Sequence, residues 1–161
     1  MRHDRTVRRY LALAVVLLPL PAMGAALARR ASSTQTLASA RIDGDGLRLE
    51  LDARMRSRIV ASLGGAPEVV LGPYTASETL MTSAGEVTDF VLEGREEQAV
   101  RDVLGAGRRV VLTGQAAGLR KTLTVSVYDD FPRLALFTVR YTNETPAAVQ
   151  VKGWTSNRYA L

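Results

Sequence analysis

Cysteine is absent from the 161 residues, and histidine occurs only once, as His3. A chain without cysteine can hold no disulfide, so its stability has to come from a packed core. His3 lies in a segment that reads as a targeting signal. Beyond residue 28 the chain therefore has neither His nor Cys, which excludes Ser-His-Asp triads, Cys-His pairs, zinc sites of the usual ligand set and haem ligation by histidine. Aromatics make up 6% of the residues, and tryptophan occurs once, at Trp154.

Long apolar runs are also scarce: LALAVVLLPL near the amino terminus is the one conspicuous example. Arg2, Arg5, Arg8 and Arg9 precede it and PAMGAALA follows, the three-part layout of a secretory signal. From Tyr10 to Leu20 the run is too short to span a bilayer comfortably, and Pro19 and Pro21 close it, which argues against a permanent anchor. Ala26-Leu27-Ala28 fits a small-residue cleavage site, placing the cut after Ala28 and making the membrane a transient partner. No cysteine follows to carry a lipid. The expected location is periplasmic or extracellular in a bacterium.

Residues 1–28 hold four of the 21 basic and one of the 16 acidic residues, leaving 17 against 15 and a net charge of +2 beyond them. The remaining arginines are scattered, so nucleic acid is not an expected partner.

Residues 29–36 are a polar leader without periodicity, and the domain is expected to run from 37 to 161. TLASARIDGDGLRLELDAR alternates, with Leu47, Leu49 and Leu51 opposed to Arg48, Glu50 and Asp52, and predicts a hairpin turning at Asp43-Gly44-Asp45-Gly46. The two aspartates resemble the start of a calcium loop, but Leu47 occupies the third ligand position and no acid closes the loop, so no metal site is assigned. Arg54, Arg56 and Arg58 alternating with Met55, Ser57 and Ile59 suit a strand with one wet face. Gly64 to Gly85 reads as loop with one short strand around Val69 to Leu71.

Glu96 to Leu104 is ambiguous between a short helix and a strand, because Ala99, Val100, Val103 and Leu104 have helical spacing between Gly94 and Gly105. Gly105-Ala106-Gly107 lacks the third glycine and the following helix of a nucleotide loop, so no nucleotide cofactor, nor any other, is assigned. KTLTVSVY is a strong strand signal, with Leu123, Val125 and Val127 on one face. DDFP then interrupts the ladder, since Pro132 has no amide donor and restricts Phe131; a sharp corner between strands is expected there. LALFTVRYTN, apolar on both faces at first, reads as a strand in the middle of a sandwich. Asn143-Glu144-Thr145 is a glycosylation sequon by pattern but a turn by context. The fold class expected is all-β: an antiparallel β-sandwich.

GAGRRVVLTG at 105–114, KTLTVSVYDDFPRLALFTVRYTNE at 121–144 and VKGWTSNRY at 151–159 together resemble the amino-terminal β-supersandwich of bacterial α-galactosidases of the melibiase type. The resemblance implies a non-catalytic module of an exported glycoside hydrolase. Its partner would be a (β/α)8 barrel carrying two catalytic carboxylates, a unit of about 250 residues that this chain does not contain. No catalytic residue is carried over. Asp129 and Asp130, as extended neighbours, point to opposite faces and cannot flank one glycosidic bond at the required separation; a turn role is expected for them. A free-standing exported carbohydrate-binding or adhesion sandwich is the alternative, and a complete small enzyme is the least favoured reading.

Trp154 shares a strand face with Gln150, Lys152, Ser156 and Arg158, so the indole is expected on the wetter side unless Gly153 introduces a bulge. An exposed indole beside Arg158 and Asn157 suits a sugar ring, whose apolar C–H face stacks while its hydroxyls bond. Packing against a neighbouring domain is the competing role for Trp154. Trp154, Asn157 and Arg158 are the candidate carbohydrate-binding residues.

Overall fold

The computed structural model describes residues 39–62, 64 and 66–159. The signal segment, the cleavage after Ala28 and the polar leader lie outside the described residues. Among those described there is no helix, and eleven strands form three antiparallel sheets, an arrangement consistent with the expected sandwich.

The first sheet is a meander of β1 (Ser39–Asp43), β2 (Leu47–Asp52), β3 (Ser57–Ala61) and β4 (Val69–Thr75). The Asp43–Gly46 hairpin forms as expected: the Gly44 amide donates to the Leu47 carbonyl at 2.6 Å, and Gly46 takes φ 74°, where lack of a Cβ removes the steric penalty. The arginine alternation does not continue one strand. Residues 53–56 turn tightly instead, because the Asp52 carboxylate accepts the Arg54 and Arg56 amides at 2.9 and 3.0 Å. Local capping wins over β propensity there. Met55 is held at φ 52° with its side chain fully buried. Arg58 is no merely solvated charge: it donates to Glu50 at 2.8 Å and covers the Tyr74 ring at 4.4 Å, holding the Glu50 carboxyl below its usual range, with Arg48 adding to the effect.

The second sheet, ordered β10-β9-β8-β7, is built from β7 (Val91–Asp102), β8 (Gly105–Ala116), β9 (Leu119–Tyr128) and β10 (Phe131–Asn143). The 96–104 stretch is strand and hairpin tip. Its apolar residues face solvent, so their helical spacing carries no packing signal, and the ladder with β8 decides the conformation. The 64–85 region holds more strand than expected: β5 (Thr79–Thr82) and β6 (Gly85–Val87) join β11 (Val151–Thr155) in a third sheet, ordered β11-β5-β6.

The acidic-proline interruption is a hairpin within one sheet. Tyr128 pairs with Phe131 across Asp129-Asp130, and the register then jumps to Val127 with Ala135. Pro132, Arg133 and Leu134 thus leave the ladder, where a missing amide donor costs nothing. The Pro132 carbonyl instead accepts the Asp45 amide at 3.0 Å, tying the bulge to the first sheet. No side-chain hydrogen bond from Asp129 or Asp130 is found among the described residues; the hairpin tip is held by the Asp129 amide donating to the Ala106 carbonyl at 2.9 Å. β10 lies at the sheet edge, contrary to the expectation of a central strand. Its both-sided apolarity is exposed at Phe131, Leu134 and Leu136 rather than covered.

Ile42, Leu49, Leu51 and Met55 from the first sheet meet Leu92, Val110, Leu112, Leu123 and Val125 from the second in one buried cluster, completed by Phe90 and Leu80. Gly114 is tightly enclosed: an added Cβ would lie 2.5 Å from the Met55 sulfur and 2.7 Å from the Val91 carbonyl oxygen. Gly153 has nothing within 4 Å of that position. Gly114→Ala is expected to destabilise the chain by about 1–3 kcal/mol through overpacking, whereas Gly153→Ala stays within about 0.5 kcal/mol, as open surface sites do. Urea unfolding of both variants checks the contrast.

Candidate functional site

Strand periodicity delivers a charge into the core. On β9, Leu119, Lys121, Leu123 and Val125 share the inward face, so Lys121 points where its apolar neighbours point. The opposite partner on β8 is Gly114, which leaves room, and on β10 it is Tyr141. Lys121 is fully buried.

Glu78, equally buried, supplies the counter-charge from just before β5. Lys121 Nζ lies 3.5 Å from Glu78 Oε2 and donates to the Glu78 carbonyl at 3.1 Å; the Phe90 ring centroid is 5.4 Å from the same nitrogen. The Ser77 hydroxyl donates to Glu78 Oε2 at 2.7 Å. Ser57 and Ser77 share a hydrogen bond, and Ser57 also contacts the Tyr159 hydroxyl at 3.3 Å. Among the described residues, Glu78 Oε1 and the Tyr141 hydroxyl are buried without a hydrogen-bond partner. Burial pushes the Lys121 amine below its ordinary range, opposed by Glu78. Burial likewise pushes the Tyr141 and Tyr159 phenols up.

With both charged side chains sealed from solvent, this cluster joins elements rather than meeting a substrate. It fastens the third sheet, through Glu78 and Ser77, to β9 of the second and, through Ser57, to β3 of the first. No sequence signal short of strand register pointed to it: KTLTVSVY shows Lys121 on the face of Leu123, but Glu78 lies in a stretch read as loop.

Above the cluster is a surface feature. Tyr141 is positioned by Phe90, their ring centroids 5.7 Å apart and tilted by 41°. It lines an open cleft of about 220 Å³ with Leu80, Val139, Trp154, Thr155 and Ser156. Trp154 is 76% exposed, but the β11–β5 ladder is irregular between Val151 and Gly153, so the simple alternation does not account for it. Asn157 and Arg158 do not line this cleft. Asn157 takes φ 55°, and the Arg158 amide turns inward to the Ser77 carbonyl at 3.1 Å. Of Trp154, Asn157 and Arg158, only Trp154 lines this cleft, and Tyr141 and Ser156 line it too. Tyr141 belongs to a different strand, so sequence adjacency could not find it.

Among the described residues there is no group of three or more His, Cys, Asp or Glu able to hold a metal. The sequon asparagine is engaged in its turn: Asn143 Oδ1 accepts the Thr145 amide at 3.0 Å and hydroxyl at 2.8 Å, and Asn143 Nδ2 donates to the Ala147 carbonyl at 2.7 Å.

Lys121→Met is expected to cost about 3–5 kcal/mol by stranding the Glu78 carboxyl, and Lys121→Met with Glu78→Leu to recover most of that loss; denaturant midpoints report both. Raised tyrosine pKa values mean that the folded chain keeps protons which unfolded tyrosines release from about pH 10 upward, so stability is intact below that pH and lost above it. The depressed Lys121 acts with the opposite sign below about pH 10.4. Tyr141→Phe should make the alkaline loss shallower in thermal melts across that range. Comparison of the chain with protein-family models, curated proteins and solved structures finds no match.

Proposed function

We propose that the chain is a non-catalytic β-sandwich module, of the supersandwich type, from an exported α-galactosidase-like glycoside hydrolase. It packs on a (β/α)8 barrel and shapes the rim of that barrel's substrate site. The observation that carries this reading is an uncovered apolar edge. Between the two four-stranded sheets opens a gap of about 250 Å³ lined by Ile42, Leu49, Val125, Val127 and Phe137, with Pro132 and Leu134 of the β10 bulge at its side. Phe131 and Leu134 are each 47% exposed beside it. Contiguous exposed apolar surface of this kind suits burial against another domain.

The sequence pattern at 105–114, 121–144 and 151–159 supports the family, and the arginine-flanked apolar segment before Ala28 supports export. A free-standing exported carbohydrate-binding or adhesion sandwich is the second reading, favoured by the exposure of Trp154.

Two measurements test the proposal. The reading frame containing this chain is expected to encode a (β/α)8 barrel; a frame without one overturns the module reading in favour of the free-standing sandwich. The chain alone is expected to leave a chromogenic α-galactoside intact over hours, and turnover above the buffer blank would overturn its non-catalytic role.

A further inference from the structure

We infer that the cleft bounded by Trp154, Tyr141 and Leu80 is a binding site for one uncharged pyranose ring. This inference does not depend on the chain belonging to a hydrolase, because the cleft is built wholly from its own residues.

Its lining sets the ligand chemistry. The six residues around the cleft are Leu80, Val139, Tyr141, Trp154, Thr155 and Ser156, none of them charged, so an ionic ligand would lose its hydration without a counter-charge. Leu80 and Val139 give an apolar floor, and Trp154 adds a broad exposed aromatic face. Ser156, an exposed residue, and the indole N–H offer hydrogen bonds at the rim. A pyranose matches this division, with an apolar C–H face for the indole and hydroxyls around its edge. A fatty acyl chain would leave the rim groups unused. A proline-rich peptide needs an elongated aromatic groove, whereas this is a single depression of about 220 Å³.

The site is also preformed, which limits the ordering cost of binding. Tyr141 is fixed against Phe90 and paired in register with Lys121. Leu80 is buried and paired directly with Trp154 across the β5–β11 ladder. Tyr141 thus links the cleft to the strand position of the buried Lys121.

Trp154 is the sole tryptophan, so indole emission of the full chain reports on the cleft alone. Titration with methyl glucoside, methyl galactoside and methyl mannoside is expected to give a saturable change in emission for at least one of them. Octaproline and octanoate should give none. By saturation-transfer NMR, Trp154→Ala is expected to weaken binding about tenfold or more and Ser156→Ala about fivefold. Asn157→Ala and Arg158→Ala should leave it unchanged. Trp154 is largely exposed and Ser156 lies outside the core, so neither change threatens folding. A response that stays linear with every glycoside, or saturates only with the peptide or the fatty acid, overturns the inference. Loss of sugar binding in Asn157→Ala or Arg158→Ala but not in Trp154→Ala would move the site off this cleft. Any of these outcomes leaves the module proposal standing, since that rests on the apolar edge and the reading frame.

Discussion

The constraint on which the rest of the molecule hangs is a lysine that strand geometry forces inward. Lys121 occupies a core position of β9 between Leu119 and Leu123, and a buried ammonium is tolerable only beside a counter-charge. Glu78 meets that demand from the segment that leads into β5 of a different sheet. The pair therefore sets where β5 sits relative to β9. A one-residue slip of β9 would turn Lys121 outward and leave Glu78 buried and unpaired, a cost no neighbouring register offsets. Such a pair adds little net stability over an apolar substitute; its effect is to make one arrangement of the sheets better than the alternatives that would leave either charge buried and unpaired.

From that junction the molecule divides into a sealed side and an open side. On the sealed side Leu51, Met55, Phe90, Leu92 and Leu112 fill the space between sheets, with Gly114 leaving room for the Met55 sulfur. On the open side the β10 bulge lifts Pro132 to Leu134 out of the ladder and leaves an apolar gap. A long edge strand with exposed apolar residues is an invitation to aggregation unless something covers it, which is why the gap supports the docking role. The Trp154 cleft differs in lining, with Thr155 and Ser156 beside its apolar residues.

Much of the fold was legible because period-two alternation is a local signal. Leu47, Leu49 and Leu51 opposed to Arg48 and Glu50, and Leu123 and Val125 opposed to Thr122 and Thr124, each announce a strand with one buried face, and Asp43–Gly46 announces its turn. The signal fails where both faces of a strand are wet, as along Glu96–Ala99, and where strands are too short to show a period, as in Thr79–Thr82 and Gly85–Val87. It also misleads at LALF, because apolar residues on both faces mean either burial in the middle of a sandwich or exposure at an uncovered edge. Only neighbours distinguish the two.

The sequence by itself determined that this would be layered sheet without disulfides and that Pro132 would break a ladder, because each follows from residue chemistry and spacing within a few positions. Tertiary structure alone decided that Glu78 meets Lys121, 43 residues away, and that Tyr141 and Leu80, not Asn157 and Arg158, share a cleft with Trp154. Those pairings depend on which strands lie side by side, and strand order is settled by the burial of the whole core rather than by any local pattern.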